Sequence, residues 1–411
     1  MTTISSQAEF DAVFDGSTIS DAAYYIQSKG SAYTLSNIMA LGSNVFIDGD
    51  PDVVIQRADV AAKITILGLV SAYVSNVYLG KNLTFDGQGG VDAGLGGSYE
   101  VASEGGGVRM TYAEDIYIGM HITNCLTGSI YSGGGLFDVN MSSRRVFVEH
   151  ISYCQAGASA SGGGVAFLGY SEDKSMSYIH NVHNCISGSS GGGINNVKGC
   201  VIDNIHDNTA GSGGGGIAAV EKCVVTNVFN NTAATKGGGV SAPTACRISD
   251  VYGNTVTGGY GGGVSDPHRS HINNISYNNA TGNGGGIGVD PIFGTKGNTI
   301  TNVYKNNCTG DGGGVYSANV DMIKNVMENT SDGNGAGCSD CTNCSIEHVS
   351  YNEATGNGGG AYNCTTCHFN GIWTENYGST YNMMASCSGI TFILNNTTAT
   401  VNTTYTTGIN V

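Results

Sequence analysis

A glycine triplet returns along this chain at an interval that an ordinary globular domain does not keep. Its third residue falls at Gly107, Gly135, Gly164, Gly193, Gly216, Gly239, Gly263, Gly286, Gly314, Gly337 (in a Gly-Ala-Gly variant) and Gly360, in steps of 28, 29, 29, 23, 23, 24, 23, 28, 23 and 23. A constant interval of this length marks supersecondary units stacked one on the next, and the longer steps read as loops inserted on one face of some units. With 66 glycines, 4 prolines and no Gly-X-Y period, collagen is excluded, and a 40% share of hydrophobic residues argues against disorder.

Each unit carries further columns. An apolar residue follows the triplet (Val108, Leu136, Val165, Ile194, Ile217, Val240, Val264, Ile287, Val315), and two more lie three residues apart, as in Ile248/Val251, Ile272/Ile275 and Ile300/Val303. Three β-branched columns per unit predict three short strands around a packed interior. A helical solenoid is disfavoured, because glycine this dense costs about 1 kcal/mol per helical site. Asparagine stands three residues after the second column, at Asn208, Asn231, Asn254, Asn278, Asn306, Asn329 and Asn352, with Cys125, Cys154 and Cys185 in the earlier units. A second polar column holds Asn204, Asn227, Asn274, Asn302 and Asn325, interrupted by Asp250 and His348. Asparagine tolerates left-handed backbone at sharp corners, and stacked amides both donate and accept, so both columns read as structural. The expected fold is all-β: a right-handed parallel β-helix with coils of about 23 residues.

The string Val228-Phe229-Asn230-Asn231-Thr232-Ala233, followed by Gly237-Gly238-Gly239-Val240, resembles the repeat of polymorphic outer-membrane proteins. The resemblance covers about residues 101–376, within the wider pectate-lyase-like β-helix superfold. It implies the fold, and beyond that a range of roles, since such solenoids serve as adhesins, phage tailspikes and polysaccharide enzymes.

Four segments are expected. Residues 1–35 read as a helical N-terminal cap: Ser6-Gln7-Ala8-Glu9 is a capping box, and Ser20-Asp21 before Ala22-Ala23-Tyr24-Tyr25-Ile26 suggests a second helix. Residues 36–100 read as irregular opening coils, with strand-like runs at Val45-Phe46-Ile47, Val53-Val54-Ile55, Ile64-Thr65-Ile66 and Leu83-Thr84-Phe85. The regular repeat occupies 101–376. Residues 377–411 contain no charge and no proline, and an uncharged β-prone end is either a folded cap or a self-association segment, so a homo-oligomer or fibre assembly is expected there.

A net charge of −16 with 16 Lys and Arg argues against nucleic acid and anionic membranes as partners. No secretory signal is visible at the start and no apolar run reaches membrane-spanning length, so membrane insertion is not expected. Thirteen cysteines leave the redox compartment open, because most fall in repeat register. Cys341, Cys344, Cys364 and Cys367 have four-thiolate zinc spacing, yet the pairs lie one coil apart, and an apolar cysteine stack is the preferred reading, with no cofactor expected. Glycan hydrolysis needs two facing carboxylates. The available candidates are Glu172 and Asp173 in one loop and Asp266, His268 and Arg269 in another, each read first as a solvated loop residue. A column two residues before the asparagines holds His206, Phe229, Tyr252, Tyr304, Met327 and Trp373, with serines at 276 and 350. Pointing outward, Phe229, Tyr252, Tyr304 and Trp373 form a strip for stacking on sugar rings. Thr257, Thr281, Thr309 and Thr355 hint at an ice-binding array, which Asp332 breaks. The expected function is therefore a non-catalytic structural or adhesive rod that binds glycans, such as a phage or virus tail component or surface fibre, extracellular or on the virion. The alternative is a polysaccharide lyase or glycoside hydrolase of tailspike type.

Overall fold

The computed structural model describes residues 1–58, 62–67, 72–88, 106–128, 130–169, 176–290, 297–379, 383–394 and 397–401. They belong to two compact units, Met1–Thr209 and Ala210–Val411. Each is a stack of right-handed parallel β-helix coils. Glu172 and Asp173 lie outside the described residues.

In the second unit each coil up to Glu353–Ala354 contributes three strands. The longest, such as Arg247–Tyr252 and His271–Ser276, pair in parallel with Ile248 opposite Ile272 and Val251 opposite Ile275. The two apolar columns thus share one strand. They sit three residues apart because Asp250 and Asn274 between them are left-handed (φ 59° and 55°), which brings the next side chain, Val251 or Ile275, back to the inner side with Ile248 or Ile272. The same conformation recurs at Asn302, Asn325 and His348, so this polar column does the corner work expected of it. The strand after the triplet, as at Val264–Ser265, pairs with Val240–Ser241 and Ile287–Gly288. The third strand follows the asparagine, as at Thr255–Val256 and Asn279–Ala280. Its inward residues Ala233, Val256, Ala280 and Cys308 form one buried cluster. These residues are small, which is why no strong apolar column announced this strand.

The glycine triplet has separate reasons at its positions. Gly261 is left-handed (φ 70°), and a Cβ there would sit 2.6 Å from the Val264 carbonyl oxygen. Gly263 lies against the asparagine ladder, where a Cβ would meet Asn278 Nδ2 at 2.8 Å and the Gly286 carbonyl oxygen at 2.8 Å. The turn needs the first, and close coil stacking the last.

The asparagine ladder is buried, with Asn231, Asn254, Asn278, Asn306, Asn329 and Asn352 at most 1% exposed. Each Oδ1 accepts the backbone N–H of the preceding coil, as from Asn254 to Asn278 (3.0 Å) and from Asn278 to Asn306 (3.0 Å). Each Nδ2 donates to a carbonyl of the preceding coil, as Asn278 does to Val251 (3.0 Å). A second ladder runs along another corner with mixed chemistry. Cys223 N–H donates to Cys246 Sγ (3.5 Å), Cys246 N–H to Ser270 Oγ (3.1 Å), Ser270 N–H to Asn298 Oδ1 (2.9 Å) and Asn298 N–H to Asp321 Oδ1 (2.8 Å). Any small side chain with an acceptor serves there.

In the first unit the helix Gln7–Val13 carries the expected capping box: Ser6 Oγ accepts the Glu9 N–H (3.3 Å) and Glu9 Oε2 accepts the Ser6 N–H (3.1 Å). Phe10, on its inner face, packs on Phe14 and Tyr33 with ring centroids 4.7 and 5.1 Å apart. The second expected helix is instead the strand Ala22–Ile26, paired in parallel with Thr2–Ile4 and Val45–Gly49. Tyr24, Tyr25 and Ile26 favour extended backbone, and partners on both sides override the local capping signal. The runs in 36–100 are members of the ladders: Val45–Gly49 pairs with Val74–Leu79, and Val53–Arg57 with Leu83–Asp86. At the other end of the chain, Ile390–Leu394 pairs in parallel with His368–Thr374 and antiparallel with Thr397–Val401.

Candidate functional site

The outer face of the long strands in the first unit gathers most of its chemistry. Strand alternation sends Val45, Ile47, Val77, Leu79, Ile116, Ile118, Val146 and Val148 inward, and the residues between them outward. Phe46, Tyr78, Tyr117, Phe147 and Tyr178 therefore form one ladder, with successive centroids 4.4, 4.8, 5.6 and 5.0 Å apart. The first two contacts are nearly parallel, at 4° and 9°. Each inner ring has both faces covered by its neighbours, so the ladder presents edges and hydroxyls outward. The Tyr117 hydroxyl donates to Glu149 Oε1 at 2.6 Å. Burial raises the Tyr78 hydroxyl pKa, and the Asp48 and Glu149 carboxylates raise it further.

A row of four histidines lies on Ala113–Thr123, Arg144–Ser152, Ser177–His183 and the next strand, Cys200–His206. His121 stacks on His150 (3.8 Å, 17°), His150 meets His183 (5.1 Å, 39°) and His183 stacks on His206 (4.8 Å, 2°). His121 Nε2 contacts Ser152 Oγ at 2.7 Å, and the Nε2 atoms of His150 and His183 are 2.9 Å apart. The Asn184 side chain meets His183 Nδ1 at 2.8 Å, and His206 Nδ1 lies 2.7 Å from Asp207 Oδ2. Burial lowers the His150 pKa to about 4, helped by repulsion from His121 and His183, and burial also lowers those of His121 and His183.

Neither row was singled out from the sequence, apart from His206. Loops of different length separate Phe46, Tyr78, Tyr117, Phe147 and Tyr178, so no constant interval marks them. Their signal was local, an aromatic between aliphatics in Val45-Phe46-Ile47, Val77-Tyr78-Leu79, Ile116-Tyr117-Ile118 and Val146-Phe147-Val148.

The sequence candidates fall elsewhere. Phe229 and Tyr252 point outward and stack on each other (5.0 Å, 3°), and Tyr304 meets Tyr277 edge-on at 6.3 Å. Trp373 leaves the column. A register shift after Glu347 sets Trp373 opposite Val349 and Thr374 opposite Ser350, and the indole lies edge-on to Phe369 at 4.6 Å while its Nε1 donates to the Asn370 carbonyl. Gly371 stands where other coils hold Asn, Asp or His, and the strand bulges there. Asp266 is held at a corner: Lys236 Nζ lies 2.8 Å from Oδ2, the Tyr260 hydroxyl donates at 3.2 Å and the Asp290 N–H donates at 2.9 Å. His268 is half-buried, its backbone N–H bonded to the Pro243 carbonyl, and Arg269 is exposed.

Cys341, Cys344, Cys364 and Cys367 are fully buried in adjacent coils. The Cys344 N–H donates to Cys367 Sγ (3.4 Å), and the Cys367 thiol donates to the Cys341 carbonyl (3.4 Å). Hydrogen bonding to Cys338 and burial hold the Cys341 thiol well above its ordinary pKa, so it stays protonated. Among the described residues no group of three or more His, Cys, Asp or Glu is arranged to hold a metal ion. No described helix is long and apolar enough to cross a membrane.

No protein-family model, curated protein or solved structure matches the chain.

Proposed function

We propose that this chain is a non-catalytic β-solenoid with a structural or adhesive role, of the kind used in phage or viral tails and surface fibres, acting outside a cell or on a virion. One observation carries the reading: its repeated polar and aromatic side chains are satisfied by their own counterparts in the next coil. The asparagines, corner thiols and stacked rings all bond along the stack, and Asp266 is tied to Lys236 and Tyr260. Such side chains stiffen a scaffold. The likeness of the Asn and Gly-Gly-Gly repeat to polymorphic outer-membrane proteins supports the adhesive version. Glycans are the favoured partner, contacted by ring edges and hydroxyls of the outer face, because stacking has already used the inner ring faces. The uncharged end completes the proposal as an association surface, since no described strand pairs with the second edge of Thr397–Val401.

The alternative, a tailspike-type lyase or hydrolase, draws on the carboxylates Asp48 and Glu149, whose charges both act on the Tyr78 hydroxyl. A glycan array combined with a reducing-end sugar assay on the array hits separates the readings. Binding without release of new reducing ends is expected. Release that is lost in Glu149→Gln would replace the scaffold reading with the enzymatic one.

A further inference from the structure

We propose that His121, His150, His183 and His206 form an acid-operated latch: neutral, the row ties together the outer edges of four successive strands, and protonated, it opens those strands while the second unit stays folded. The strands Ala113–Thr123, Arg144–Ser152, Ser177–His183 and Cys200–His206 pair in parallel, each with the next. Register sets His121 opposite His150 and His183 opposite His206, and both pairs stack. Between them it sets Ser152, not His150, opposite His183, so these two rings meet tip to tip, Nε2 to Nε2 at 2.9 Å.

Every contact in the row depends on uncharged rings. The 2.9 Å contact is an N–H···N hydrogen bond, in which one Nε2 carries a proton and the other is bare. A first added proton leaves that bond in place, but a second points two N–H groups of two cations at each other and abolishes it. Along the rest of the row, cations stacked with centroids 3.8 and 4.8 Å apart repel. Around the row stand Asp86 from the preceding coil, acting on His121, and Asp207, acting on His183 and 2.7 Å from His206 Nδ1. His180, on the same strand as His183, pairs with Asp203 at 3.2 Å, and the Tyr153 ring lies edge-on to His183 at 6.0 Å. Glu149, beside His150, is taken by the Tyr117 hydroxyl. Carboxylates thus support the two ends of the row, whereas the charges acting on His150 at its centre are those of His121, His183, His180 and His206. Burial holds His121, His150 and His183 neutral at pH 7, and His150 takes its proton only near about 4. The unfolded chain binds these protons earlier, so the row's contribution to stability is present above about 6.5 and is lost as pH falls through about 4. Glu114 and Asp115, paired with Arg144 and Arg145 on two of the same strands, are held below their ordinary carboxylate range and so outlast ordinary ion pairs in acid. In the second unit the corresponding outer column holds Phe229, Tyr252, Ser276, Tyr304, Met327 and Ser350, none of which gains a charge in acid. Acid therefore acts on one unit of the chain and spares the other.

The test is amide hydrogen exchange of the full chain at pH 7 and pH 4, corrected for the intrinsic pH dependence of exchange. Protection in Ala113–Thr123, Arg144–Ser152 and Ser177–His183 should fall about tenfold or more at pH 4, while Arg247–Tyr252 and His271–Ser276 keep theirs. In the double variant His150→Gln, His183→Gln, whose amides bond without titrating, the loss should be about threefold or less, with circular dichroism at pH 7 establishing that the variant is folded. Histidine ring titration by NMR on the unsubstituted chain gives an answer that needs no variant: at least one ring should titrate below about 5. Unchanged protection at pH 4, an equal loss in both units, an undiminished loss in the folded double variant, or no ring titrating below about 5 overturns the proposal.

Discussion

Replacing Asn278 by alanine removes four hydrogen bonds from the ladder interior. Its Oδ1 accepts from Asn254 N and Asn254 Nδ2, both at 3.0 Å, and its Nδ2 donates to the Val251 carbonyl and to Asn306 Oδ1, also at 3.0 Å. Not all four losses count equally. Asn254 Nδ2 keeps the Val228 and Tyr252 carbonyls, and Asn306 Oδ1 keeps the backbone N–H of residue 278. What is stranded is the buried Asn254 N–H, together with one acceptor position on the Val251 carbonyl. An orphaned buried donor costs about 1–3 kcal/mol and a lost ordinary bond about 1 kcal/mol, so the substitution should cost about 2–4 kcal/mol. Residue 278 is 1% exposed, so water cannot rescue it. Asn278→Cys is the informative comparison. At the other corner Cys246 Sγ accepts a backbone N–H and donates to the Val220 carbonyl, both at 3.5 Å, which is the bonding pattern asparagine supplies here. Cysteine should therefore recover a substantial part of the loss. The assay is urea unfolding with amide hydrogen exchange, because long repeat arrays need not unfold in one step. The Asn254 amide should lose protection selectively in the alanine variant. An unchanged midpoint, or a cysteine variant as unstable as the alanine one, refutes the ladder as a source of stability.

Other outcomes follow from the same geometry. His150 titrates near 4 in the folded unit against 6.5 for the ordinary side chain, with His121 and His183 shifted the same way. Its contribution is complete above about 6.5 and is lost as pH falls through about 4, so the first unit's melting midpoint should drop across that window and drop less in His150→Gln. Asp138 runs the other way. Fully buried and raised by burial to about 7, with Ser143 N–H and Oγ at 2.9 and 2.8 Å, it contributes fully below about 3.8 and loses that contribution as pH rises through about 7. Asp138→Asn should accordingly flatten the decline in midpoint between about pH 4 and pH 7. Gly261→Ala should cost about 1–2 kcal/mol from left-handed backbone alone, measured by urea unfolding, with the Val264 carbonyl contact adding to it. Lysines at Thr391 and Ile393 should shift the chain toward monomer in light scattering. A wild-type chain that is already monomeric at micromolar concentration defeats the association proposal.

The sequence alone determined the fold of the regular coils, because solenoid packing is local. Each coil meets the next at the same residue types, so the glycine triplet, the asparagine corner and the paired apolar columns repeat visibly from Gly193 to Gly360. The Ser6 to Glu9 capping box was legible for the same reason, since its donors and acceptors lie three residues apart. The tertiary structure decided what depends on partners brought from far along the chain. Ala22–Ile26 is a strand because Thr2–Ile4 and Val45–Gly49 flank it, against its own capping signal. Trp373 leaves the outer column because a bulge at Gly371 moves the register. The aromatic and histidine rows of the first unit form only when loops of unequal length bring Phe46, Tyr78 and Tyr117, or His121, His150 and His183, into alignment. Unequal loops cost a solenoid little, since loop-closure entropy grows only slowly with length. Strand pairing keeps the register of the face while the sequence loses its period, and the candidate site was hidden in that difference.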